Sequence, residues 1–290
     1  MVGNKLKHSS SDYLTKRKLS HGFTLIELVL VIMILGIMAA GIGGFISLST
    51  QTYLNASSRD ELIGNARFVV ERLNRELRNA LPSSIRTKEW DGDTVQCIQF
   101  TPIVASTVYT DIPVLPEPAS QTLSVIPFNG SDGTPYQCAS GCSDLVTVYP
   151  LNNDDVYADY STTVGKLFRL GVIEPLVDPG QLNIPQAVSF AEDSPTQRLY
   201  IINEQVSYCA IPGYIVRFSE PVSDDEQTYP IGIPRTYMAG YLVNDISGHL
   251  PFSYLPPTLK RNAVVQIHLQ FTNDGEDYVF DHEVHISNVP

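Results

Sequence analysis

The hydrophobic pattern divides the chain into a polar head, an apolar run, an amphipathic stretch and a long body of short alternating segments. Residues 1–21 are polar and rich in Ser and Lys, and are expected to lack regular structure. Residues 24–48 are apolar almost throughout, and between Phe23 and Ser58 the sole charge is Glu27. A helix needs about 20 apolar residues to cross a bilayer core, so 24–48 predicts a membrane span. Beyond it, Leu62, Ala66, Val69, Leu73, Leu77 and Ala80 recur at spacings of three and four, and Ile63 and Val70 widen the stripe. That is the period of a helix with one apolar face. Glu71–Arg75 and Arg72–Glu76 are i,i+4 pairs of opposite charge, expected on its polar side. Pro82 is expected to end the helix, because a residue that precedes proline is pushed out of the α region. Gly36, Gly41, Gly43 and Gly44 either ease bending and local melting of the membrane half or permit close helix packing.

After Pro82 the pattern turns to strands. Trp90-Asp91-Gly92-Asp93 reads as a hairpin turn before the alternating Val95–Phe100. Residues 111–136 are rich in Pro, Ser and Gly and predict a long surface loop. Leu145–Tyr149, Leu199–Ile202, Val206–Ala210 and Tyr214–Phe218 are further strand candidates. Ala263–Phe271 and Asp277–Ile286 flank Asp274-Gly275, a strong hairpin signal. A helix followed by antiparallel strands is an α+β pattern. The boundaries that follow are 1–22, 23–48, 49–82 and 83–290.

Charge gives this pattern an orientation. Residues 1–22 hold five Lys or Arg and one Asp, a net of +4; with −12 for the whole chain, residues 23–290 carry −16. A basic segment before an apolar span stays on the cytoplasmic side. The acidic body is then placed outside the cytoplasm, and it offers no basic stripe to a nucleic acid. An ordinary secretory signal has a shorter apolar region and a small-residue site behind it; only the weak Met38-Ala39-Ala40 could serve. No Cys follows the run, which excludes a lipoprotein signal.

Four cysteines, Cys97, Cys138, Cys142 and Cys209, all lie in the acidic body and permit three connectivities. Outside the cytoplasm they favour disulfides. Cys138 and Cys142 flank a tight Ala-Ser-Gly turn and form the first candidate pair, leaving Cys97 with Cys209. Free buried thiols or a zinc site are the alternatives, although zinc wants two close-spaced ligand pairs.

Other chemistry is weakly signalled. His282-Glu-Val-His285 is not the H-E-x-x-H of a zinc protease, since its histidines are three apart on a predicted strand, where they face opposite sides. Asn152-Asn-Asp-Asp155 with Asp159 lacks the glycine-centred spacing of a calcium loop and reads as a solvated acidic loop. No phosphate loop, dinucleotide fingerprint or G-x-S-x-G occurs, and no triad is assembled. The expectation is a protein without enzymatic activity, metal or cofactor.

Gly22-Phe23-Thr24-Leu25-Ile26-Glu27, set between a basic leader and the apolar run, resembles the processing signal of type IV pilins and type II secretion pseudopilins. All six motif positions match. The resemblance implies cleavage by a prepilin peptidase between Gly22 and Phe23, N-methylation of Phe23, and pairing of Glu27 with the Phe23 amine of a neighbouring subunit. A lone charge in a span costs about 2.5–3.5 kcal/mol, which suits a functional carboxylate; a protonated Glu27 without partner is the bland alternative. Ala66–Ala80 resembles the helix end of large minor pilins related to the J-type pseudopilins. Phe100-Thr-Pro-Ile-Val-Ala105 and the ending His282–Pro290 resemble minor pilins of the mannose-sensitive haemagglutinin (MSHA) system. These likenesses imply a type IV pilin-like fold, with the long helix packed on an antiparallel β-sheet head. They also imply partners: the prepilin peptidase, other minor pilins and the major pilin, the inner-membrane assembly platform and inner-membrane lipid. Priming of an MSHA-type pilus is the expected role. A J-type type II secretion pseudopilin is the alternative within the class, and a pilin-anchored adhesin or enzyme head the one outside it. Retention of Glu27 implies a place just below the filament tip, since K-type tip subunits lack it. The leader of 22 residues is long for type IVa pilins and leaves the true start codon open.

Overall fold

The computed structural model describes residues 22–81, 83–90, 92, 94–130, 132–229, 232–257, 261–273 and 275–286. Residues 1–21 of the expected leader lie outside the described residues, as do Pro82, Asp91, Asp93, Asp274 and the ending residues 287–290. Two units are distinguished, Met1–Asn55 and Ala56–Pro290.

In the first unit the described chain is the start of α1 (Leu25–Arg78). Every residue from Gly22 to Asn55 is exposed. The helix runs unbroken through Gly36, Gly41, Gly43 and Gly44. Two of its hydroxyls bond back within the helix: those of Thr50 and Thr52 donate to the carbonyls of Ile46 and Leu48 at 2.8 and 2.9 Å. This back-bonding lets a hydroxyl sit on a helix that has no water to offer.

The second unit opens with the last turns of α1, where the periodic stripe is buried: Leu62, Ala66, Val69, Val70, Leu73 and Leu77. The strands are β1 (Arg86–Trp90), β2 (Val95–Phe100), β3 (Ala105–Asp111), β4 (Ser120–Val125), β5 (Leu145–Val148), β6 (Val164–Gly165), β7 (Leu167–Arg169) and β8 (Gly180–Phe190). They continue as β9 (Arg198–Ile202), β10 (Glu204–Ile211), β11 (Gly213–Pro221), β12 (Thr236–Leu242), β13 (Phe252–Leu255), β14 (Ala263–Asn273) and β15 (Glu276–Ile286). One sheet has the order β1-β2-β10-β11-β12-β14-β13, with β15 paired to β14 along its whole length. The other has the order β6-β8-β4-β3-β9-β5-β7. Among the strands named here every pairing is antiparallel except β6 with β8.

The first sheet is buried on both faces around its centre, as β2 shows. Ile98 and Phe100 join the α1 stripe, with Val206, Tyr208 and Ala210 of β10. Val95 and Cys97 point the other way, into a small cluster with Cys209, Val216 and Phe218. Strand periodicity sends alternate residues to opposite faces, and each large apolar side chain buried contributes about 1.5–3 kcal/mol. The second sheet encloses its own core, which includes Leu123, Val146, Phe168, Leu182 and Phe190.

Four expectations need correction. Helix α1 ends at Arg78, before Pro82, because Asn79 turns to a new partner: its side chain donates to the Ile103 carbonyl at 2.8 Å, and its carbonyl accepts the Ile103 N–H at 2.9 Å. The stretch 111–136 is not a loop throughout, since β4 inside it is a mid-sheet strand with Leu123 and Val125 buried. Arg72–Glu76 does not lie on the outward face but is half-buried against the sheet. The acidic loop is not simply solvated. Asn152 caps a short helix, α2 (Asn153–Val156), and Asp155 accepts the Leu151 N–H at 2.8 Å and pairs with Lys166 at 3.1 Å. The two expected hairpins are present, with Gly92 and Gly275 at φ 57° and 82°, the left-handed conformation such turns require.

Candidate functional site: the N-terminal signal and helix start

Gly22, Phe23 and Thr24 precede the helix, and Thr24 is its cap. The Thr24 carbonyl accepts the N–H groups of Glu27 and Leu28 at 3.1 and 3.2 Å, and its hydroxyl accepts from Glu27 N–H at 3.4 Å. An N-cap hydroxyl satisfies one of the four backbone donors that a helix start leaves free. Glu27 therefore stands in the first turn, where those donors create a positive end that favours a carboxylate. Thr24 was not singled out from sequence; its signal is the Thr24-Leu-Ile-Glu27 spacing of a capping box.

Gly22 has no structural reason of its own to be glycine. A Cβ there would meet nothing within 4 Å. The fold therefore sets no demand for glycine at 22. Phe23 is 69% exposed, and among the described residues none pairs with the Glu27 carboxylate. From Phe23 to Leu54 the large apolar side chains stand exposed in succession, on a helix long and apolar enough to cross a membrane.

The other candidate residues lie in the second unit. Cys97 and Cys209 oppose each other directly across β2 and β10, with Cα atoms 4.0 Å apart, and are joined. Cys138 and Cys142 are joined across a turn, with Cα atoms 5.7 Å apart. No thiol is left for zinc. His282 and His285 lie on β15, His282 half-buried and His285 exposed. Ser161 holds the Asp159 carboxyl below the usual range, first through its side chain and then through its N–H, which Asp159 accepts at 2.8 Å. A polar bridge that the sequence did not reveal joins α1 to the sheet. Glu76 accepts from Arg72 at 2.9 Å and from Arg217 of β11 at 3.0 Å. Burial, reinforced by the Glu76 carboxylate, pushes the neighbouring Tyr208 phenol up.

Residues 17–43 match the family model described as the prokaryotic N-terminal methylation motif. Neither a curated protein nor a solved structure matches the chain. The motif, a helix able to span a membrane and a β-rich unit behind it support a type IV pilin-like or pseudopilin-like protein. Processing by a prepilin peptidase and assembly with other pilins follow from the motif.

Proposed function

We propose that the chain is a minor pilin-like structural subunit that primes assembly of an MSHA-type type IV pilus. It resembles the O protein of that system, MshO, in the Phe100–Ala105 segment and the His282–Pro290 ending. The carrying observation is the complete Gly22–Glu27 motif at the mouth of an exposed apolar helix. In this reading residues 1–22 are removed, Phe23 is N-methylated and 23–48 sits in the inner membrane. The amino end is cytoplasmic and the head periplasmic. Glu27 pairs with the Phe23 amine of a neighbour, since each charge in an apolar setting needs an opposite partner. The partners are the peptidase, the other minor and major pilins, the assembly platform and membrane lipid. The head carries no catalysis.

The test is mass analysis of the amino terminus in cells with and without the peptidase. The mature chain is expected to begin at N-methylated Phe23, and Gly22→Asp to keep the leader. A terminus near Ala40 would sink the reading. Pilus loss in a deletion strain, with intact type II secretion, separates the pilus role from that of a J-type pseudopilin.

A further inference from the structure

The second unit carries a cluster of exposed rings. Tyr214 of β11 and Tyr237 and Tyr241 of β12 are 47%, 58% and 49% exposed. With Gly213, Gly240 and two α1 residues, Glu61 and Asn65, they line a cavity of about 470 Å³. Three backbone features hold the rings in place. The β11–β12 ladder shifts register at Gly213/Tyr214 and again at Ile215/Val216, and such irregularities re-aim side chains. Tyr241 has φ 64°, a left-handed conformation uncommon for a bulky residue; it persists only where the surroundings impose it. Gly240 leaves room for the Tyr237 hydroxyl, which a Cβ would strike.

The arrangement suits one kind of ligand. Tyr214 and Tyr237 meet edge to face, centroids 5.3 Å apart and planes at 62°, so they stand as two walls of a corner. Burial, and then Tyr214 and Tyr241, push the Tyr237 phenol up. The lining holds three tyrosine rings, one carboxylate and one amide, and no Lys, Arg or His. Ring faces carry negative potential and attract cations. An anion would meet Glu61 and the π clouds, and an apolar group would gain nothing from Glu61. We propose that this cavity is an aromatic cage that receives an arginine side chain from a partner polypeptide. A guanidinium is planar and weakly hydrated, so it stacks on one ring while donating to a carboxylate. The charge of −16 on residues 23–290 favours a basic partner surface.

The experiment titrates detergent-solubilised mature protein, labelled in its tyrosine rings, with N-acetyl-arginine amide and followed by NMR. N-acetyl-citrulline amide, of like shape and uncharged, and tetramethylammonium form the other arms. The arginine probe is expected to shift the Tyr214, Tyr237 and Tyr241 signals saturably, with citrulline at least about tenfold weaker. Glu61→Gln and Tyr237→Leu, both at exposed positions, should each weaken the arginine probe by about tenfold and leave circular dichroism unchanged. Equal binding of citrulline, shifts scattered over other tyrosines, or unaltered binding in both variants would overturn the proposal. Tighter binding of tetramethylammonium than of arginine would also overturn it, in favour of a free quaternary cation. None of these outcomes bears on the pilin-like reading, which rests on the N-terminal motif.

Discussion

Glu76 holds two guanidinium groups at once, and its side chain is only 18% exposed. Glu76→Ala leaves Arg72 and Arg217 half-buried without their counter-charge, so a loss of about 3 kcal/mol is expected in urea unfolding. Glu76→Leu with Arg217→Met should recover part of it, because apolar groups often replace a buried ion pair at no cost. A Glu76→Ala protein with the parental midpoint would mark the bridge as an ordinary surface pair. A second residue-scale expectation concerns alkaline pH. The Tyr157 phenol is buried, donates to the Ser84 carbonyl at 2.7 Å, and is pushed up to about 12 by burial. Tyr109 is likewise held at about 12, first by burial and then by Asp193. Unfolded phenols titrate near 10. Between about pH 10 and 12 the folded chain therefore binds more protons than the unfolded one, and stability must fall as pH rises through that window. Urea midpoints that stay constant up to about pH 12 would contradict this assignment.

At the scale of elements, what the sequence revealed follows periodicity. The α1 stripe from Leu62 to Leu77 repeats at three and four because its packing partner, the first sheet, presents one continuous face, so the stripe was readable. The β14–β15 hairpin was readable too, because a turn signal separates two runs of β-branched and aromatic residues. Strand β4 was not: Ser120-Gln-Thr-Leu-Ser-Val125 carries only two apolar residues, and prolines at 113, 116, 118 and 127 bracket it. Its place in the sheet is set by neighbours β3 and β8, which are remote information. Leu123 is fully buried there, so Leu123→Ala is expected to cost about 2–5 kcal/mol; a loop residue would cost almost nothing. The helix start was half legible. Glu27 stood out as a lone charge, whereas Thr24 looked like part of a motif and not like a cap. The end of α1 at Arg78 depended on Ile103, again beyond local reach. The tyrosine cage was hidden because Tyr214, Tyr237 and Tyr241 belong to two strands whose irregular register no local pattern announces.

At the scale of the whole molecule, one stretch of exposed apolar helix and one acidic β-rich unit require different surroundings. The mature chain is expected to stay with membranes through an alkaline wash and to leave them in detergent. A secreted fragment beginning at Ala56 should be soluble and unfold cooperatively; a fragment that aggregates would show that the second unit depends on the first. Glu27→Ala removes a charge from the span, so insertion should be unimpaired while pilus number falls sharply; normal piliation would show that this carboxylate has no pairing role. The bridges carry a consequence in time. Cys138–Cys142 lies within the stretch between Cys97 and Cys209, so the long bond joins the first cysteine to emerge with the last. Synthesis runs at about 5–20 residues per second, which leaves Cys97 waiting on the order of ten seconds for a partner 112 residues later. An oxidase that takes thiols in order of appearance would couple Cys97 to Cys138. Closure of a short loop is faster than a microsecond-scale event, about 10–100 ns for ten residues, so once oxidant arrives Cys138 has a nearer partner in Cys142. If the head is oxidised as it is exported, as proposed above, the small bridge is expected to withdraw Cys138 before a wrong match forms. Cys142→Ser should therefore accumulate a Cys97–Cys138 species on non-reducing gels, most of all in cells without a disulfide isomerase, and Cys138→Ser/Cys142→Ser should not.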